Sequence, residues 1–571
     1  MKLLFRYLRP HSRVIAVCFV IKALGTIVEL IIPYISAHII DNIVPTKSAN
    51  LIVLWGLGMI LCAALALLFN AVANMLASRT SREFTKSLRH DLFESSMRLS
   101  CRAADELTVP SLEARITSDT YNLHQMVGTV QRLGIRAPLL LLGGIGITLA
   151  LDATLSLVMI ATLPFITLVV WYITKKGIPL YSRVQEHVDG MTRIVREDAE
   201  GIRVIKALSR KAHESARFDR ANRALVDIEK KADIVMGLSR PIMQLFLNLG
   251  LAAVLLVGAY RVNGGLTEAG KIIAFLQYFT LISNAMLVLT RIFVIYSKGI
   301  ASAARVDEVL RTESELCVKK QTPRKLEPYL RFEHVFFAYH EGKPILKDID
   351  FSLEKGQTLG IIGATGSGKS TLAKLLLRFY DVSEGSVRID GTDIREIPES
   401  ELHSRFGVVL QNDFIGADTV RENIDFGRNI SEDKRKAAAT RAQASEFIEG
   451  FPEGYEHEIT AKGTNISGGQ KQRLLIARAL AGDPEILILD DSSSALDYKT
   501  DLALRRAIAE QNKDTTVILI AQRISSVMNS DLILVLDEGR IIGRGKHEEL
   551  MESCPVYREI SESQMGGAFL E

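Results

Sequence analysis

Apolar residues fall into long runs in the first half of the chain and into short, punctuated runs in the second. Six long stretches precede residue 300: Val14–Tyr34, Leu51–Leu76, Leu133–Leu151, Leu155–Ile173, Ile242–Tyr260 and Ile272–Tyr296. A helix needs ~20 mostly apolar residues to cross the hydrocarbon core, and each window supplies them. The first carries Lys22 and Glu29, the third begins near Arg136, and the sixth contains Arg291. Basic residues and an apolar run at the N-terminus are also the outline of a signal peptide, but no small-x-small cleavage site follows, so a retained helix is expected. Residues 1–10 interleave Leu3, Leu4, Phe5 and Leu8 with Lys2, Arg6 and Arg9, a pattern suited to the membrane interface.

Charge distribution adds an orientation. The links between helices 2–3 and 4–5 are rich in Lys and Arg, whereas the opposite links carry only Lys47, Arg261 and Lys271. By the positive-inside rule both termini and the two long links are cytoplasmic in a multi-pass cell-membrane protein. Polar residues inside the windows include Lys22, Glu29, Asn70, Asn74, Gln244, Asn248, Gln277, Asn284 and Arg291. They fit helix–helix hydrogen bonding or interface placement. They also fit a water-filled substrate path, since charge facing lipid is costly.

Composition agrees with two unlike halves. The 571 residues (63.2 kDa) have a mean hydropathy of +0.17 despite 24% charged residues. Sixty-nine Lys and Arg against 66 Asp and Glu give a net charge of +3, which points away from a polyanion-driven binder and an acidic disordered chain. Cys18, Cys62, Cys101, Cys317 and Cys554 are scattered and odd in number, with no CxxC pair, so neither a disulfide framework nor a zinc site is indicated. A charged stretch, Arg311–Tyr329, with Pro323 and Pro328, separates the halves. The expected domains are therefore 1–310, a six-helix α-helical transmembrane domain with long cytoplasmic extensions; 311–329, a linker; and 330–571, an α/β P-loop nucleotide-binding domain.

Strand-like runs follow at Leu330–Phe337 and Gln357–Ile362. The second leads into Gly363, Ala364, Thr365, Gly366, Ser367, Gly368, Lys369, Ser370 and Thr371, with a helix expected over Leu372–Phe379. This is GxxxxGKS/T in the strand–loop–helix context of a P-loop. Its glycines let backbone N–H groups converge on phosphate oxygens, and the helix N-terminus favours anions. Lys369 neutralises β/γ charge, and the Ser370 hydroxyl suits Mg²⁺. A second apolar run, Ile486–Leu489, ends in Asp490, where a buried strand delivers a carboxylate to the metal shell. Asn512, Lys513 and Asp514 miss the NKxD spacing of guanine readers by one residue, so ATP is the expected nucleotide.

Between these lie Ile466, Ser467, Gly468, Gly469 and Gln470, and here the chain resembles ATP-binding cassette (ABC) proteins, whose signature reads LSGGQ. Further elements fall in the family's order: Tyr339 where it stacks an aromatic on adenine, Gln411 after Val408–Leu410 at its Q-loop, and Ser494, Ala495, Leu496 and Asp497 at its D-loop. With six preceding helices, nearly the whole chain resembles an exporter-type half-transporter. The resemblance implies ATP and Mg²⁺ as ligands, with Ser370, Gln411 and Asp490 around the metal. It implies a second half-transporter as partner, the bilayer as environment, and composite ATP sites in which the Walker residues of one half face the signature of the other. It also implies that cytoplasmic turns at about Ala104–Leu112 and Ser209–Ala216 dock on nucleotide domains, the second on the partner's. No nucleic acid is expected, and the transported substrate is not legible.

Two positions depart from the family pattern. The residue after the Walker B Asp, usually a Glu that polarises the attacking water, is Asp491, one methylene shorter. The family's switch histidine is Gln522, which donates a hydrogen bond but carries no charge and shuttles no proton. Two changes in one catalytic constellation beside an intact signature lead to the expectation of a heterodimeric exporter of multidrug type. This chain would hold the slow, degenerate Walker site and complete a partner's competent one. A homodimer with two slow sites, and a receptor or channel that ATP regulates without pumping, are the alternatives.

Overall fold

The computed structural model describes residues 2–312, 316, 328–339, 342–411, 413–492, 495–511 and 514–565. Cys317, most of the stretch 311–329, Ser494, Asn512 and Lys513 lie outside them. The chain divides into two compact units, Met1–Met97 with Pro110–Arg311, and Arg98–Val109 with Thr312–Glu571.

The first unit consists of six helices long and apolar enough to span a membrane: Leu3–Thr46, Ala49–Met97, Val109–Leu151, Ala153–Glu200, Lys211–Asn263 and Ala269–Arg311. Each runs 43 to 53 residues, about twice what a bilayer core requires, so the polar links are helical continuations. The break between spans 3 and 4 is a single extended residue. Asp152 caps span 4 by accepting from the Thr154 and Leu155 amides at 3.0 and 3.2 Å, and its other oxygen accepts from Arg261 of span 5 at 3.2 Å. A carboxylate at a helix N-terminus satisfies otherwise orphaned donors.

Several charges of the bundle are partnered within it. Glu29 of span 1 accepts from Arg136 of span 3 at 2.8 to 3.3 Å. The buried Tyr278 hydroxyl donates to the Leu30 carbonyl at 2.6 Å, tying span 6 to span 1. Further along spans 3 and 6, Asp119 accepts from Ser302 and from Arg305 Nε, both at 2.8 Å, and Arg115 pairs with Glu308 at 2.9 Å. Partnering of this kind offsets the cost of desolvating the ions.

The second unit is an α/β body. Its strands are β1 (Leu330–Phe337), β2 (Leu346–Leu353), β3 (Thr358–Gly363), β4 (Glu384–Ile389), β5 (Thr392–Asp393), β6 (Phe406–Val409), β7 (Asp418–Thr419), β8 (Glu458–Ile459), β9 (Ile486–Asp490), β10 (Thr516–Ile520), β11 (Leu532–Asp537) and β12 (Arg540–Gly545). A six-stranded sheet runs β12-β11-β3-β10-β9-β6, parallel apart from β12, and a four-stranded antiparallel sheet runs β2-β1-β4-β5. All five residues of β9 are buried, as strands covered on both faces require. The register pairs Ile361 of β3 with Ile520 of β10, and Ile520 with Asp490 of β9, so the carboxyl ends of the central strands are level. Crevices beyond such ends are where open α/β sheets bind ligands.

The turn after span 2 belongs to this second unit. Ser100 caps the helix Cys101–Leu107, and the Tyr380 hydroxyl donates to Asp105 at 2.5 Å. The docking turn is thus centred on 101–107, earlier than the expected 104–112, because the Ser100 cap fixes where its helix begins.

Candidate active site

Four strand ends and one loop build the cleft. β3 delivers the loop Gly363–Gly368, and Gly368 starts the helix Lys369–Leu376. That helix begins three residues before its expected start, because φ is +85° at Gly366 and +102° at Gly368, which ends the loop there. Side chains rarely adopt such angles, and a Cβ at Gly368 would also lie 2.6 Å from Leu346 Cδ2. A cleft of about 300 Å³ follows, lined by Ile345, Thr365, Gly366, Gly368, Lys369, Ser370, Thr371, Gln411, Asp490, Asp491, Ile520, Ala521 and Gln522.

Lys369 Nζ donates to the Gly363 and Ala364 carbonyls, both at 2.8 Å. Burial lowers its pKa, while Asp490 and Asp491 pull the other way. Asp490 is 4% exposed; burial holds its carboxyl above the usual range, against a hydrogen bond from Ser370. The Ser367 hydroxyl is buried with no partner among the described residues. An ammonium satisfied only by carbonyls and a glycine loop feeding a helix N-terminus form a cradle suited to a polyphosphate. The Ser370 and Asp490 oxygens, in contact, line the same cleft as the Gln411 amide, and these are the hard oxygen donors that Mg²⁺ takes.

Asp491 sits just past the end of β9 in the left-handed region (φ +50°), its amide held by the Ile520 carbonyl at 2.9 Å. The Gln522 amide donates to Asp491 Oδ2 at 3.4 Å, a long, weak contact. A contact that the sequence did not foreshadow lies behind them. Gln564, from the helix Pro555–Met565, donates to the Gln522 carbonyl and accepts from the Ile524 amide, both at 2.8 Å. Nothing in local spacing marks Gln564, which is 42 residues from Gln522.

The remaining expected residues lie apart. Tyr339 is not in the cleft lining. It packs edge-on against Phe337 and Tyr380, with ring centroids 4.9 and 5.0 Å away, and its hydroxyl is 3.2 Å from that of Thr371. It therefore flanks the cleft through Thr371. Ser467, Gly468, Gly469 and Gln470 do not line the cleft either. Ser467 and Gln470 form a capping box at the start of the helix Gly468–Leu480, with Ser467 and Gly468 exposed. Gln472 on that helix accepts from the Ala495 amide at 3.0 Å, so the signature helix and the D-loop segment are tied together.

Known proteins match the chain over both units. Residues 15–286 match the ABC transporter transmembrane region, and 346–494 match the ABC transporter family. An uncharacterised ABC transporter ATP-binding protein, YfiB of Bacillus subtilis strain 168, is 34% identical over 98% of both chains. A multidrug efflux ATP-binding/permease protein of Mycobacterium bovis is 31% identical over 97% of this chain, which spans 46% of that protein. The solved structure of a bacterial Atm1-family ABC exporter with ATP bound superposes with a TM-score of 0.82 at 26% identity, covering 97% of this chain and 98% of that one. Six membrane-span helices fused to a P-loop cassette, aligned end to end with such relatives, place this chain in the ABC transporter family as a half-transporter with the exporter fold.

Proposed function

We propose that the chain is one subunit of a heterodimeric ATP-driven exporter, with 1–310 as its transmembrane domain, 311–329 as linker and 330–571 as nucleotide-binding domain. On this reading the nucleotide-binding domain and both termini are cytoplasmic, in keeping with the basic links, and the cargo class includes the multidrug type named for the M. bovis relative. The carrying observation is the pair Asp491 and Gln522, which sit together at the ends of β9 and β10 and lack the length and the charge that fast hydrolysis uses.

The chemistry follows from reach. Bound Mg²⁺ would supply charge neutralisation on the β/γ oxygens, held by Ser370 and Asp490 with Gln411. Lys369 and the 363–368 loop bind and orient the triphosphate. A base at Asp491 stops ~1 Å short of the water that a glutamate would reach. Base assistance is worth ~10²–10⁴-fold, and misplacement on this scale costs ~10². Gln522 orients by hydrogen bonding but takes up no proton.

The exposed signature at Ser467 and Gly468 is free to complete a site on a second subunit. The second cytoplasmic turn supports an interlocked dimer. The expected stretch Ser209–Ala216 falls mostly in the helix that starts at Lys211, and the turn is instead the short helix Ile202–Ala207 before it, where Ile202, Val204 and Leu208 are 45, 61 and 66% exposed. Apolar side chains on a cytoplasmic turn fit docking on a partner's nucleotide domain.

Purifying an affinity-tagged chain from its native membranes tests the assembly. An equimolar second half-transporter, carrying Glu and His at the positions of Asp491 and Gln522, is expected. Recovery of this chain alone as a homodimer would refute the heterodimer.

A further inference from the structure

One cavity in the transmembrane unit has donor side chains on seven of its nine lining residues. It holds about 300 Å³ and is walled by Lys22 of span 1, Asn74 of span 2, Gln125, Thr129, Arg132, Leu133 and Arg136 of span 3, and Arg291 and Ile295 of span 6. Four cations converge on it, and none of its lining residues is acidic. Arg136 is balanced by Glu29. Among the described residues no carboxylate lies within ion-pair distance of Lys22, Arg132 or Arg291. Arg132 Nε reaches only the Gly128 carbonyl, at 3.1 Å.

A basic belt at the membrane surface is the simpler source of such charges, since long cationic side chains snorkel to water. Lys22 does not fit it. Its side chain is 2% exposed and is turned onto Asn74 Oδ1 at 3.0 Å. It lies nine residues past Arg13, about 13 Å along the helix, inside an apolar run. A buried lysine with only a neutral partner is costly, and the half-buried Arg132 and exposed Arg291 beside the same cavity add to its positive charge unless something negative occupies it.

We infer that this cavity is a binding site for the anionic group, phosphate or carboxylate, of an amphiphilic ligand. The inference rests on the exporter reading only in treating that ligand as cargo. Lys22, Arg132 and Arg291 contribute charge-assisted hydrogen bonds, and Asn74, Gln125 and Thr129 add neutral polar contacts. A membrane lipid headgroup and a soluble organic anion share this chemistry.

Binding is measured without ATP, on the intact complex purified in a neutral detergent, so that failure to pump leaves the result unaffected. The probes are dodecyl phosphate and dodecylphosphocholine, which share a chain and differ in charge, with inorganic phosphate as competitor. Dodecyl phosphate is expected to bind about tenfold or more tightly than the zwitterion. The preference should vanish in Lys22→Gln with Arg132→Gln and survive in Arg79→Gln, a cation outside the cavity. Should the double variant fail to fold, the exposed Arg291→Gln is expected to reduce the preference several-fold by itself. Displacement by inorganic phosphate assigns the site to soluble anions, and resistance to it assigns the site to lipid headgroups. Equal affinity for the two detergents, or a preference that persists in the cavity variants, overturns the inference.

Discussion

Replacing Lys369 by alanine removes the one ammonium among the described residues that line the nucleotide cleft. Its Nζ is held 2.8 Å from two carbonyls, with burial already lowering its pKa. Part of the desolvation that a bound phosphate would impose is therefore met before nucleotide arrives, which puts its contribution in the upper part of the range for charge-assisted bonds. That is about 2–3 kcal/mol, or about 30- to 150-fold in affinity. The free protein should lose much less, because the vacated Gly363 and Ala364 carbonyls border an open cleft that water reaches. Photolabelling with an azido-ATP analogue reads this chain separately from its partner by mass. Half-maximal labelling of Lys369→Ala should shift upward by that factor with the melting temperature nearly unchanged. A shift below about threefold would show that Lys369 does not face the polyphosphate.

Two further outcomes test the surrounding structure. Gly368→Ala puts a Cβ 2.6 Å from Leu346 Cδ2 on a backbone at φ +102°, so it should cost ~1–3 kcal/mol and abolish labelling, read by melting and photolabelling together. Asp393 is half-buried, and this desolvation raises its pKa, yet hydrogen bonds from the Arg395 side chain and amide outweigh it and hold the carboxyl below the usual range. A depressed carboxyl stabilises above its unfolded value and loses that contribution as pH falls through the folded one. Asp393→Asn should therefore be less stable by ~1–2 kcal/mol near neutrality, with the gap to wild type closing below about pH 4 in denaturation series.

How far the sequence could be read depended on whether the information was local. The spans were legible because twenty apolar residues leave a chain few other environments. The loop at 363–371 was legible because phosphate binding dictates its glycines and lysine at fixed spacing. Lys22 and Glu29 interrupt the apolar run of the first span, and only the fold shows their partners Asn74 and Arg136, 52 and 107 residues away. The same distance in sequence hid Asp119 with Arg305, Tyr380 with Asp105, and Gln564 behind Gln522. Tyr339 was located as a candidate aromatic, but its edge-on packing against Tyr380 depends on how the β1 loop meets the P-loop helix. The convergence of Lys22, Arg132, Arg136 and Arg291 was invisible for the same reason, since each looks like an isolated blemish in its own run.

On the proposed function the two ATP sites are unequal, and this chain supplies the weak Walker side and a working signature. Steady-state ATPase of the purified native complex decides it, using Asp491→Ala and Gly468→Asp in this chain. The account gives turnover within about twofold of wild type for Asp491→Ala, because a base already ~10²-fold impaired has little left to lose, and a loss of tenfold or more for Gly468→Asp, because the partner's fast site loses its signature. Abolished turnover in Asp491→Ala with activity retained in Gly468→Asp would contradict it and assign the fast site to this chain.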